Sequence, residues 1–211
     1  HHSHKTIVNH KYSYKDPKPA KTAAVIRYGA FGDLIQASAI VCGLKKQGYH
    51  VTLYTTKEGH GITKNDPNID KFIIQGKDQV PNAALPSFWE TIEKKYDKFV
   101  NLSESVEGAL LAIPGRSGHL WPHNLRHSML NRNYAEFAND LAEIPQEFNQ
   151  RFYPTDEEKL WAQKERKAIG GKIILWSLAG SAIHKTWPYL DTILARLMIE
   201  TDVKEIGRAH V

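Results

Sequence analysis

Residues 23–44 read AAVIRYGAFGDLIQASAIVCGL, and this stretch decides the fold. Ala23 to Tyr28 is a short apolar run of the kind found in a strand buried on both faces. Gly29-Ala30-Phe31-Gly32 reads as a tight turn. Leu34, Ala37, Val41 and Leu44 then recur at helical spacing, and Ile35 and Ile40 widen the apolar face. Lys45 and Lys46 suit a helix C-terminus, and Gly48 stops it. In open parallel sheets the strand-to-helix turn lies on the edge where ligands bind. Gly29 and Gly32 allow a sharp bend and a close approach of ligand to backbone. Asp33 opens the helix. That is a favoured place for Asp as a cap, and from there a carboxylate can also accept a proton from an attacking hydroxyl. The spacing leaves both roles open. It is G-x-x-G-D and not G-x-G-x-x-G, so the dinucleotide fingerprint is absent.

Outward from this motif, strand-like and helix-like patches alternate. His50–Thr56, Lys71–Gln75 and Lys98–Leu102 read as further strands. Leu85, Phe88, Trp89, Ile92 and Tyr96 form a helical stripe of core type, and Tyr134, Phe137, Ala138 and Leu141 form another. Ser105–Ala112 reads as a short helix closed by Pro114-Gly115. Pro145–Pro154 reads as a connecting segment. Thr155 and Glu158 make a capping box ahead of a helix carrying Leu160 and Trp161, which Gly170-Gly171 ends. Ile173–Leu178 is a fresh strand, and Leu190, Ile193, Leu194 and Leu197 continue a helix whose first turn accepts Pro188. The alternation predicts α/β architecture with a parallel sheet that restarts near residue 172.

The 211 residues allow one large domain or one and a half smaller ones. Lys and Arg total 28 against 23 Asp and Glu, a net charge of +5 spread along the chain. That balance suits an acidic small molecule, and nucleic acid is not expected as a partner, since its binders concentrate their charge. The lone cysteine, Cys42, excludes an internal disulfide and reads as a small buried hydrophobe in a cytoplasmic protein. No apolar run approaches transmembrane length. Residues 1–21, with His1, His2, His4, Pro17 and Pro19, read as a flexible tail.

A second motif lies between the strand at 173–178 and its helix: Leu178-Ala179-Gly180-Ser181-Ala182-Ile183-His184-Lys185-Thr186-Trp187-Pro188. Free backbone N–H groups and the helix dipole make such a place an anion site. Gly180 lets a phosphate come close and Ser181 can donate a hydroxyl. Lys185 opposes the dipole unless an anion sits between them; the alternative is a side chain in water.

Together the two motifs resemble glycosyltransferase family 9, the ADP-heptose:lipopolysaccharide heptosyltransferases. Residues 25–44 match that family's VIR-x-G-x-x-G-D strand, turn and small-residue helix, and Gly180, Ser181, Lys185, Trp187 and Pro188 match its G-S-x-x-x-K-x-W-P turn. The resemblance spans roughly residues 22–200 and is thin between about 57 and 170. It implies a GT-B architecture of two Rossmann-like domains and an inverting, metal-independent transfer with no cofactor. Residues 22–150 would form the acceptor-side domain, carrying Gly29 and Gly32 in its acceptor-side loop. Residues 151–171 would connect it to the first strand and helix of a truncated nucleotide-sugar-binding domain at 172–205. Asp33 would be the general base, and Gly180, Ser181 and Lys185 would bind the donor diphosphate. Partners would be an ADP-heptose-like nucleotide-sugar and a saccharide or lipid-linked saccharide acceptor. The latter would bring the protein into peripheral contact with the inner membrane face. The later parts that hold base and sugar in this family have no counterpart here, so this stretch alone is expected not to turn over.

Weaker signals complete the reading. Glu104 and Glu107, just past the fourth strand, are candidate acceptor contacts or simply helix-start carboxylates. Arg126, with Arg116 and Arg132, could meet an acidic acceptor or be an ordinary basic loop. His119, His123 and His127 are spaced by four, but Pro122 interrupts the helix and no carboxylate or cysteine completes a zinc site, so no metal is expected. A nicotinamide enzyme is disfavoured because Thr55-Thr56-Lys57 stands where an acidic residue should close the second strand. The remaining alternative is a non-catalytic carbohydrate- or nucleotide-binding module of the same fold. Residues 206–211, IGRAHV, back-translate to ATC GGA AGA GCA CAC GTC, a short-read sequencing adapter. The biological sequence is therefore expected to end near Glu205, and a genomic continuation through those codons would overturn this.

Overall fold

The computed structural model describes residues 21–76, 79–103, 121–177 and 187–208. They fall into two compact units, His1–Tyr153 and Pro154–Val211.

The first unit is organised by its opening strand, β1 (Thr22–Ile26), whose residues from Ala23 onward are wholly buried. Ala23 and Val25 face one apolar cluster, with Leu34, Ile40, Val41 and Leu44; Ala24 and Ile26 face another, with Tyr54, Trp89 and Ile92. A strand apolar on both faces can only be central, and β1 lies between β2 (His50–Thr55) and β4 (Lys98–Asn101), with β3 (Lys71–Ile74) outside β2. All three pairings are parallel, in the order β3-β2-β1-β4. The chain winds one way from β1 through β2 to β3, then returns to the other side of β1 for β4. The carboxyl ends of β1 and β4 thus form a topological switch point.

Helix α1 (Phe31–Lys46) packs on the first cluster through Leu34, Ala37, Ile40, Val41 and Leu44. Each fully buried Leu or Ile contributes about 1.5–3 kcal/mol, enough to hold the helix rigidly over the sheet. A short helix α2 (Lys57–Thr63) follows β2, capped by Thr56, whose hydroxyl accepts from the Gly59 N–H. The sequence KEGHGIT hides it, because two glycines break the periodic signal. A 3-10 turn (Asn82–Ala84) leads into α3 (Leu85–Glu93), which buries Trp89 and Ile92 in the second cluster. Helix α4 (His123–Leu130) begins directly after Pro122, and α5 (Tyr134–Leu141) buries Ala135, Ala138 and Asn139. The predicted stripe of α5 is off by one position at its end: Leu141 is exposed, while Ala142 and Ile144 are buried.

The predicted connecting segment is pinned to the first unit. Ile144 packs so closely on α1 that any side chain at Gly43 would meet it. Lys46 pairs with Glu147, the Arg151 N–H donates to Ser38 Oγ at 2.8 Å, and Asn68 Nδ2 donates to the Tyr153 hydroxyl at 3.1 Å.

In the second unit, Thr155 and Glu158 form the expected reciprocal cap on α6 (Asp156–Ile169), at 2.7 and 3.1 Å. Gly170 and Gly171, at φ +62° and +63°, end the helix. Strand β5 (Ile173–Ser177) leads to α7 (Leu190–Glu200), with Pro188 in the turn ahead of the helix and not inside it. A strand absent from the sequence reading, β6 (Lys204–Arg208), runs into residues 206–208, which that reading assigns to adapter, and pairs in parallel with β5, from Ile173 opposite Lys204 to Ser177 opposite Arg208. This unit is therefore a β-α-β unit preceded by α6, one strand longer than predicted. Leu160 and Trp161 are each 65% exposed, so the apolar face of α6 is uncovered among the described residues. No helix among the described residues is long and apolar enough to cross a membrane.

Candidate active site

The switch point gathers the first motif. Arg27 directly follows β1, and its N–H donates to the Tyr54 carbonyl at 3.0 Å. Its side chain is 1% exposed, although it is charged. The guanidinium spans the crevice: Nη1 donates to the Leu102 carbonyl beyond β4 at 3.1 Å, and Nη2 donates to Asp33 Oδ1 at 2.8 Å. Arg is suited to such a bridge because its planar fork reaches two acceptors at once.

Asp33 lies in the first turn of α1. The helix begins at Phe31, earlier than the sequence predicted, so Asp33 is its third residue and Ala30 its cap. Asp33 Oδ2 accepts from the Ala30 N–H at 2.8 Å, half of a capping box; alanine has no side chain to return the bond. Each carboxylate oxygen thus has one donor within the protein. Each also keeps a further lone pair, and the side chain remains 33% exposed. The carboxylate is anchored from behind and open in front.

The two glycines of the motif have different reasons. Gly29 sits at φ +147°, a backbone region closed to other residues, and a Cβ there would come within 2.5 Å of Asp33 Oδ2. Gly32 is not part of a turn, as the sequence suggested, but the second residue of α1. A Cβ there would meet nothing within 4 Å. The fold therefore does not require glycine at 32, whose bare backbone leaves open space in the first turn of α1.

Sequence reasoning missed the groups that complete this edge. Tyr28 N–H donates to Ser103 Oγ at 2.7 Å, tying the end of β1 to the loop beyond β4. The Tyr28 ring stacks on Trp89 at 6.2 Å between centroids, its hydroxyl bonds to Gln75 Oε1, and burial pushes its phenol above the ordinary value. The available signal was Arg27 itself, a charge at the end of four apolar strand residues.

This arrangement is a part-exposed carboxylate, held by two donors, at the carboxyl edge of a parallel sheet. No family model matches the chain. The chain is 26% identical to lipopolysaccharide heptosyltransferase 1 of Campylobacter coli over 211 aligned residues, covering 87% of this chain and 62% of that protein. It thus spans less than two thirds of that curated relative. Two solved structures share its architecture. A glycosyl transferase family 9 protein from Veillonella parvula has a TM-score of 0.56 at 17% identity, over 90% of this chain and 69% of that one. The ADP-heptose lipopolysaccharide heptosyltransferase II of Escherichia coli has a TM-score of 0.51 at 18% identity, over 88% and 63%. The fold is that of the family 9 glycosyltransferases. In sequence the chain is heptosyltransferase-like.

The other predicted site residues fare unevenly. Gly180, Ser181, Lys185 and Glu104 lie outside the described residues, as do His119, Arg116, Glu107, the predicted helix at 105–112 and residues 1–20 of the predicted tail. Arg126 is on α4, where Nη2 turns back to the Trp121 carbonyl at 3.1 Å, and no described contact brings it to Asp33. His123 and His127 stack edge to face on α4 at 5.8 Å. Among the described residues no cluster of three or more potential metal ligands occurs.

Proposed function

We propose that this chain is the acceptor-side part, with the start of the donor side, of an inverting glycosyltransferase. It would move heptose, or another hexose or heptose, from a nucleoside-diphosphate donor to a saccharide acceptor of the lipopolysaccharide or surface-glycan type. The observation that carries this reading is the Asp33 carboxylate, anchored by Arg27 and Ala30 yet still one third exposed at the switch point. An acceptor hydroxyl placed at its exposed side would give its proton to Asp33 as its oxygen attacks the anomeric carbon. The bond from that carbon to the diphosphate oxygen would break on the opposite face, and the diphosphate would leave with the electron pair. Lys185 and Ser181 would steady that charge. The likeness to the Campylobacter heptosyltransferase supports the donor class. A lipid-linked acceptor would place the protein at the inner face of a membrane. This stretch alone would not turn over.

One observation favours a binding module instead: both Asp33 oxygens already serve the fold, one in a salt bridge and one in a helix cap. The decisive experiment assays the full-length protein against a panel of nucleotide-sugars, with Asp33→Ala and Lys185→Ala alongside. Acceptor-dependent nucleotide release that is lost in Asp33→Ala, and weaker donor binding in Lys185→Ala, support the transferase. Wild-type turnover by Asp33→Ala would remove Asp33 as the base, and no turnover by the wild-type protein with any donor returns the binding module.

A further inference from the structure

Arg27 is a charge sealed inside the first unit, directly after the four buried apolar residues Ala23–Ile26. Burying a guanidinium is strongly unfavourable unless it is paired and hydrogen-bonded. A tie between β1 and β4 alone does not need it: β1 and β4 are already joined by their parallel ladder, by the Leu102 N–H to the Ile26 carbonyl at 3.0 Å, and by Tyr28 to Ser103. What Arg27 adds is a fixed distance between that rigid edge and Asp33. One arm rests on the Leu102 carbonyl at 3.1 Å and the other holds Asp33 Oδ1 at 2.8 Å. The Ala30 N–H then fixes the second oxygen, so the carboxylate plane cannot rotate without breaking one of the two bonds. The helix beneath is itself immobilised by Leu34, 1% exposed, in the next position.

We propose that Arg27 is a positioning residue, which sets the orientation of the part-exposed Asp33 carboxylate at the switch point by bracing it against the Leu102 carbonyl. This deepens the transferase reading and rests on it. Lysine would not replace it, because a single ammonium on a flexible stem cannot hold two separated acceptors in a fixed plane. A carboxylate released from the brace would still be present and ionisable, but it would sample orientations that do not meet the hydroxyl. A misplacement of about 1 Å costs roughly a hundredfold in rate.

The test uses the full-length protein with the nucleotide-sugar that supports turnover. Arg27→Lys and Arg27→Met are compared with wild type and Asp33→Asn for kcat, for donor and acceptor Kd by calorimetry, and for melting temperature. The positioning role predicts a kcat loss on the order of a hundredfold in folded Arg27→Lys, with both Kd values within about twofold of wild type. A general structural defect would instead weaken binding along with turnover. Ala30→Pro cuts the second anchor without the risk of a buried change, because Ala30 is exposed and its φ of −77° accepts proline. It should lower kcat in the same selective way and keeps the test decisive if both Arg27 variants fail to fold. Folded Arg27 and Ala30 variants at wild-type kcat, with Asp33→Asn inactive, overturn the brace and leave the transferase reading intact. Asp33→Asn at wild-type kcat overturns the role of Asp33 as the base, and the brace with it.

Discussion

Gly29 and Gly32 stand three residues apart in one motif, and substituting each with alanine should move stability in opposite directions. At Gly29, alanine must hold φ +147°, which costs about 1–3 kcal/mol in a region essentially reserved for glycine. Its Cβ also falls 2.5 Å from Asp33 Oδ2, so the carboxylate must shift away from the Ala30 N–H. A hydrogen bond to a charged group contributes about 1.5–3 kcal/mol, and the two effects together reach about 2.5–6 kcal/mol. For a chain of this size that corresponds to a fall of roughly 5–24 °C in melting temperature. At Gly32 the backbone is already helical and the space is open, so alanine only reduces the freedom of the unfolded chain and should add about 0.4–1 kcal/mol. Urea unfolding followed by circular dichroism reads both, with an unchanged slope confirming that the unfolded state is comparable. If Gly29→Ala is as stable as Gly32→Ala, the assignment of one glycine to the backbone and the other to open space is wrong. On the transferase reading, Gly32→Ala should also raise acceptor KM in the full-length protein while raising stability.

Three further outcomes are expected. Asp66 is 5% exposed and its Oδ2 has no hydrogen-bond partner among the described residues, while Oδ1 accepts from Asn68; burial raises its carboxyl above the ordinary value. A raised folded value means that the stability it permits is present below the unfolded value and is lost as pH rises through the folded one. Asp66→Asn should therefore unfold at higher urea than wild type at pH 7 and show no advantage near pH 3; an equal advantage at both pH values would refute the assignment. Thr155→Ala removes the cap of α6 and should cost about 1 kcal/mol, read as lost helical ellipticity on mild warming; unchanged ellipticity would show that the cap does not hold the helix. Phe31, 56% exposed at the start of α1, should be replaceable by alanine within about 0.5 kcal/mol of stability.

The parallel sheet was legible because a central strand buried on both faces is largely apolar, and β1 is apolar from Ala23 to Ile26. The caps at Thr155 and Gly170 were legible because they are made by neighbours in sequence. Helix α2 was not, since its two glycines erase the period and its identity depends on Thr56 capping and on packing against β3 and α1. Nor was the role of residues 144–153, whose polar run looks like a linker; only the fit of Ile144 over Gly43 and the bonds to Ser38 and Asn68 make it part of the first unit. The Asp33 motif divides in the same way. Its place at the end of a strand and the start of a helix follows from local pattern alone. That Asp33 is held by Arg27, that Gly29 is required by the backbone, and that Gly32 is required by nothing in the fold depends on distances between β1, β4 and α1. Those distances are set by long-range pairing and side-chain packing, which a one-dimensional pattern does not contain.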